Sequence, residues 1–389
     1  MRQFERDRAQ GENMGQLAHF WKGLVVTAFA TAVASGQAAT FVYVTNAEDG
    51  DITSYRLGDS GELAPLSRTK AASVVMPMAV SPDRRFLYAA ARSKPYTVYV
   101  YSIDRNTGAL AQVSTAPLAE SFPYISLDKT GRFLLSASYG GNLVSVNAVA
   151  SDGSVSAQPL QVIPIGRNAH SIRVDDSNRF VYVPSLGSDA IFVFDFDAKS
   201  GKLTSATPAL FLMNAMTGPR HFVTSIDNKF LYVLSEFQAT VTTFAIDART
   251  GQLSEVGTAK GLPPDTKLVA GAARGSIPGR NMDNDIWAAD IHMTPNGKFL
   301  YVSERTSNSI GAFAVDGATG KLTYLASTPT EKQPRGFAID PKGRFLIVTG
   351  EKSETISIYA IDAANGSLKP LGKAATGKGA NWVEIVSFD

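Results

Sequence analysis

Three of the four histidines in this 389-residue chain, His170, His221 and His292, lie seven to ten residues before a phenylalanine that opens an apolar stretch. Arg220 and Arg335 stand ten residues before such a phenylalanine, and Asp290 stands nine before one. Arg92, Glu236, Arg305 and Glu351 each stand six residues after one. Guanidinium forks bind carboxylate or phosphate in two-point geometry. A histidine or glutamate held beside them can move a proton at neutral pH. The same cations would stabilise the oxyanion of an attacked ester. The set therefore suits an anionic substrate with a hydrolysable or isomerisable centre.

The phenylalanines that give this register belong to a repeat. Phe41-Val-Tyr-Val, Phe86-Leu-Tyr-Ala, Phe133-Leu-Leu-Ser, Phe180-Val-Tyr-Val, Phe230-Leu-Tyr-Val, Phe299-Leu-Tyr-Val and Phe345-Leu-Ile-Val are seven versions of one strand, spaced 45, 47, 47, 50, 69 and 46 residues apart. A repeat of this length that reads as several short strands marks a β-propeller, one blade per copy. The last full unit shows the order: an inner strand from Arg335, a turn at Pro341-Lys-Gly-Arg, a second strand over 345–349, an alternating third strand over 355–361, an Asp362-Ala-Ala-Asn-Gly turn and an outer strand from Ser367. The expected fold is all-β, a seven-bladed propeller of four-stranded antiparallel blades. The first copy lacks an inner strand and the tail Asn381–Phe388 is an inner strand without successors. The tail is therefore expected to pair with the first copy and close the ring, which removes exposed edges.

Antiparallel order decides which residues share a face. Entry to the inner strand and exit from the second strand lie at one rim, here called upper. The Asp-x-x-x-Gly turns after Asp104, Asp197, Asp247, Asp316 and Asp362 lie at the lower rim. The set of potentially reactive residues therefore gathers at the upper rim and its funnel. The 69-residue interval carries a surplus rich in Pro, Gly, Asp and Asn around Leu262 to Ile286, which reads as a long upper-rim loop.

Composition closes several routes. No cysteine is present, so disulfides and thiolate chemistry are excluded. Net charge is +2 without a long basic run, so nucleic acid is not an expected partner. There is no Gly-rich phosphate loop before a helix, no serine nucleophile elbow and no His-x-x-x-His spacing. His221, His292 and Asp290 are the set that could approach a metal; no metal or cofactor is expected. Residues 1–39 stand outside the repeat. Lys22, the apolar run Gly23 to Ala34 and the small residues Gly36, Ala38 and Ala39 read as a secretory signal, too short to span a membrane. Met14 is a second candidate start. The expectation is a periplasmic or secreted monomer, residues 40–389, free of the membrane after cleavage; the alternative is a cytoplasmic protein.

The segments Ala169-His-Ser, Gly218-Pro-Arg-His, Trp287-Ala-Ala-Asp-Ile-His-Met-Thr-Pro-Asn-Gly, Glu304-Arg-Thr and Gln333-Pro-Arg-Gly-Phe resemble those of the seven-bladed propeller lactonases, typified by propeller-type 6-phosphogluconolactonases. The likeness runs from about residue 41 to the end of the chain. It implies hydrolysis of an acidic or sugar-derived lactone. Fungal 3-carboxymuconate cyclases look similar, and their proposed His, Arg, Glu and Arg fall on His170, Arg220, Glu236 and Arg305. These four are the expected catalytic residues, with Glu236 or His170 activating water and Arg220 and Arg305 holding the anionic group or the oxyanion. Arg92, His221, Asp290, His292 and Arg335 are the expected substrate-binding residues. A leader departs from the cytoplasmic phosphogluconolactonases and turns attention to non-phosphorylated aldonolactones. Two other readings stand beside the lactonase: a lactonising cyclase of muconate type, and an exported Tyr-Val-Thr-Asn propeller (Tyr43 to Asn46) that binds without catalysis.

Overall fold

The computed structural model describes residues 39–273 and 276–388. The leader reading falls on residues outside this range. Seven four-stranded antiparallel sheets follow one another as the blades of a propeller. Blade 1 is closed by the two ends of the described chain: Ala380–Phe388 is its inner strand and pairs with Ala39–Asn46, with Phe41 opposite Val386 and Tyr43 opposite Glu384. That strand begins at Ala39, two residues ahead of the lead phenylalanine. In blade 7 the inner, second, third and outer strands are Pro334–Ile339, Phe345–Gly350, Thr355–Ile361 and Leu368–Ala375.

The second strands of blades 2 to 7 are buried along their whole length because neighbouring blades cover both faces. The repeated phrase has a mechanical role. Each lead phenylalanine packs on the glycine that ends the lower-rim turn of the following blade: a Cβ at Gly108 would stand 2.3 Å from the Phe41 ring, and at Gly366 2.4 Å from that of Phe299. Gly108 also adopts φ +71°, which disfavours other residues there. Two positions on from the phenylalanine, the tyrosine hydroxyl donates to the same glycine carbonyl. These bonds are Tyr43 to Gly108 at 3.0 Å, Tyr88 to Gly153 at 3.1 Å, Tyr182 to Gly251 at 2.9 Å and Tyr301 to Gly366 at 2.8 Å. The Phe-x-Tyr phrase thus stitches blade to blade at the lower rim.

The upper rim is shaped by a different device. The inner strands of blades 2, 5, 6 and 7 each carry a β-bulge where two residues face one on the second strand. The bulged pairs are Met76-Pro77, Arg220-His221, Ala289-Asp290 and Arg335-Gly336. A bulge bends the strand and re-aims its side chains. In blade 5 it lets consecutive Arg220 and His221 both enter the central network, with Arg220 Nη1 3.1 Å from His221 Nε2. Blade 4 departs further. Its inner strand is reduced to Arg173–Val174, preceded by an isolated bridge of Ala169 with Ser185. His170 therefore sits in a short irregular entry segment, tied by its own N–H to the Pro184 carbonyl at 3.0 Å.

Candidate active site

Arg220 is among the largest fully buried side chains in the propeller. A guanidinium out of water needs partners for its charge and its donors. Its Nε donates to Glu236 Oε2 at 2.7 Å, and its Nη1 donates to the Ala289 carbonyl and lies 3.1 Å from His221 Nε2. Arg305 approaches the same Glu236 oxygen at 3.0 Å and donates to the carbonyls of Trp287 and Ala288 at 2.9 and 3.0 Å. The guanidinium of Arg305 also lies 3.6 Å from the centre of the Trp287 ring, and Trp287 Nε1 donates to Glu236 Oε1 at 3.1 Å. Glu236 is thus a buried carboxylate held by three donors. Burial alone would raise its pKa; Arg305, Arg220 and Arg335 prevail and hold it below the usual range.

His221 is bound on both sides. Its Nδ1 is 2.8 Å from Asp290 Oδ1, and Arg220 occupies its Nε2. Since the guanidinium can only donate, Nε2 accepts and Nδ1 carries the proton. Burial, then Arg220, depress this imidazole to about 3, so it is neutral at physiological pH. Asp290 receives four donors: His221, His292 Nε2 at 3.2 Å, and the N–H groups of Ile291 and Phe337 at 3.0 and 3.3 Å. Burial opposes its charge; His292 and His221 outweigh that and keep it well below the carboxylate range.

His170 is different. It is 5% exposed, edge-on to Tyr139 at 5.8 Å and 5.1 Å from the His221 ring, and its buried Nδ1 has no hydrogen-bond partner among the described residues. Burial, Arg220, His221, Arg335 and Arg305, in that order, push its pKa well below 6.5. It is a neutral imidazole with a free ring nitrogen among cations.

Arg335 and Glu351 pair nearer the mouth, at 3.3 Å, and Gln333 donates to the other Glu351 oxygen at 2.6 Å. Arg92 reaches Ser121 Oγ at 3.1 Å and Met76 Sδ at 3.4 Å, with no carboxylate partner among the described residues. Burial, then Arg335, disfavour its charge. The structure thus brings His170, Arg220, Glu236, Arg305, His221 and Asp290 into one contact network, with Arg335 and Arg92 above it. His292 joins this network only through Asp290. Lying two residues deeper on its strand than Asp290, it lines the channel beneath the funnel, not the rim.

Sequence counting passed over Trp287. It enters blade 6 from the long connection 261–287, whose ends are pinned by buried Leu262 and Ile286 and by Arg280 on Asp285 at 2.7 Å. The length surplus marked the loop; the ring stacked on Arg305 has no counterpart in the repeat register. Tyr139 stands six residues after its lead phenylalanine, the same repeat position as Glu236 and Arg305, and its ring meets His170.

The seven-bladed β-propeller lactonase family model matches residues 39–385. The chain belongs to that family. This lactonase is 38% identical over 346 residues to a 6-phosphogluconolactonase of Serratia proteamaculans, covering 89% of this chain and 98% of the relative. It is 37% identical over 348 residues to a 6-phosphogluconolactonase of Pectobacterium carotovorum, covering 90% and 99%. Among solved structures, a periplasmic gluconolactonase of Pseudomonas aeruginosa superposes with TM-score 0.79 at 26% identity, over 90% of this chain and 99% of that one. The lactonase is accordingly an enzyme, a lactone hydrolase, and the reading as a binding scaffold without catalysis gives way.

Proposed function

We propose that this lactonase opens a sugar-derived lactone carrying an anionic group, 6-phosphogluconolactone in class, and that His170 is its general base. The observation that carries the assignment is the Nδ1 of a neutral His170, unpartnered among the described residues and set among three arginines, Arg220, Arg335 and Arg305. Glu236 is the poorer base because Arg220, Arg305 and Trp287 occupy its oxygens. In the reaction, His170 takes a proton from water as the water oxygen bonds to the lactone carbonyl carbon. The oxyanion forms against the Arg220 and Arg305 cations. It then collapses, the ring C–O bond breaks, and the departing alkoxide takes the proton back from His170, leaving the hydroxy acid. Repulsion from the arginines makes His170 a weak base in the empty site. An anionic substrate on Arg92 and Arg335 offsets that field and raises its basicity when water must be activated.

A second reading, a non-phosphorylated aldonolactone met outside the cytoplasm, is favoured by the leader pattern of Lys22, the apolar run and the small residues that follow. The test compares enzyme-dependent opening of 6-phosphoglucono-δ-lactone and glucono-δ-lactone, each corrected for spontaneous hydrolysis, and pairs it with cell fractionation. A kcat/KM at least 100-fold higher for the phosphorylated lactone supports the first reading. Equal rates with export support the second. Opening of neither lactone, with net ring closure of an unsaturated diacid instead, would move the assignment to the cyclase.

A further inference from the structure

Below the His221–Asp290 pair lies a chamber of about 360 Å³, within the span typical of small-molecule sites. It is built from the inner strands and opens toward the lower face past Pro82, Lys129 and Pro295. Seven residues before each lead phenylalanine stand Ala79, Ser126, Arg173, Val223, His292 and Ala338, and blade 1 adds Glu384. Small side chains at three blades leave space, and polar ones at four surround it.

The charges around this chamber can be accounted for one by one. Asp290 stays ionised, its oxygens filled by donors from His221, His292 and two N–H groups. Asp128 is consumed by its own turn, accepting from the N–H groups of Thr130, Arg132 and Phe133 and from Asn178. Lys129 pairs with Asp176. Two groups are left. Arg173 has no carboxylate partner among the described residues. Glu384 accepts from Trp382 Nε1 at 2.9 Å through one oxygen and makes no ion pair among the described residues. Burial pushes its carboxyl up to about 7 against the pull of nearby Arg173, so near neutral pH its protonated form is accessible as a hydrogen-bond donor. His292, 35% exposed, stands across the same space. A guanidinium near Glu384 that is shared only with the Tyr124 hydroxyl among the described residues, a carboxyl able to donate and an imidazole around one cavity are the complement of a carboxylate with hydroxyls attached.

We propose that this chamber is a second ligand site, separate from the lactone funnel, that takes a small hydroxylated carboxylate entering from the lower face. The test uses the full chain and sodium D-gluconate as probe, with binding followed by calorimetry and by Trp382 fluorescence in a Trp21→Phe, Trp287→Phe background. Arg173→Met, which keeps the stem and removes the charge, is expected to weaken gluconate binding at least 10-fold. Arg335→Ala, in the upper funnel, should retain one equivalent of binding with affinity within about twofold. Ala338→Met, which fills the chamber from another blade, should also weaken binding, so a folding defect in one variant does not decide the matter. Loss of all binding in Arg335→Ala with wild-type binding in Arg173→Met and Ala338→Met would overturn the proposal. So would the absence of saturable binding to the wild type. The readout is binding alone, so failure here is distinct from a failure to open lactones.

Discussion

The lower and upper rims of this propeller are made from the same seven repeats and have opposite character. At the lower rim, blades 2 to 7 solve one problem in one way. The residue five before each lead phenylalanine is Ser81, Asp128, Asp175, Ser225, Thr294 or Asp340, and its side-chain oxygen accepts the phenylalanine N–H at 2.6 to 3.1 Å. At the upper rim, equivalent positions hold Met76, Pro123, His170, Arg220, Ala289 and Arg335. Uniformity at one end is what blade packing requires; diversity at the other is what a single asymmetric substrate requires. The comparison predicts that changes above alter catalysis with little loss of fold, and changes below do the reverse.

The largest effect tests the upper rim directly. His170→Gln removes the proposed base while leaving a polar side chain of similar length. Steady-state lactone hydrolysis should fall roughly 10²- to 10⁴-fold in kcat, the usual contribution of a positioned base. The thermal midpoint should move only a few degrees. A kcat within threefold of wild type would break the assignment. Arg335→Ala comes next. Loss of one charge-assisted contact costs about 1.5–3 kcal/mol, so KM for an anionic lactone should rise roughly 10- to 100-fold. The KM for an uncharged lactone should change far less, and that difference separates anion binding from general damage. Asp340→Ala sharpens the other half of the comparison. It leaves the Arg344 and Phe345 N–H groups without their acceptor. Denaturant unfolding should show about 1–3 kcal/mol lost with kcat unchanged.

The same contrast explains how much could be read in advance. Blade number, strand order and ring closure were legible because the lower-rim stitch repeats: Phe, Tyr, Asp and Gly recur at fixed offsets, since each must meet an identical neighbour. The upper-rim set was legible as a location, because register carries distant residues to one end. Its internal pairing was not. Whether Arg220 meets Glu236 or a substrate depends on bulges that no single side chain announces. Trp287 arrives from a connection outside the repeat. His292 shows the limit of counting: two residues along a strand carry a side chain from one level of the channel to the next, and so from the funnel to the chamber.

The smallest effect concerns the floor between those two levels. His221 has a folded pKa of about 3 against an ordinary 6.5, through burial and Arg220. Between those values the native imidazole is neutral and the unfolded one is protonated. The unfolded chain therefore binds more protons, and stability rises with pH across that window. The contribution is fully present above about pH 6.5 and is lost as pH falls toward 3. His170, depressed for the same reasons, adds to the slope in the same direction. His221→Asn, whose amide can still donate to Asp290, removes one of these titrations. Unfolding free energy measured from pH 7 to pH 4 should then fall less steeply than in the wild type, by up to about 1.4 kcal/mol per pH unit for the one proton removed. An unchanged slope would mean that His221 is protonated in the native state. Its Nε2 would then donate and repel Arg220, and the floor of the funnel would have to be held by some other arrangement.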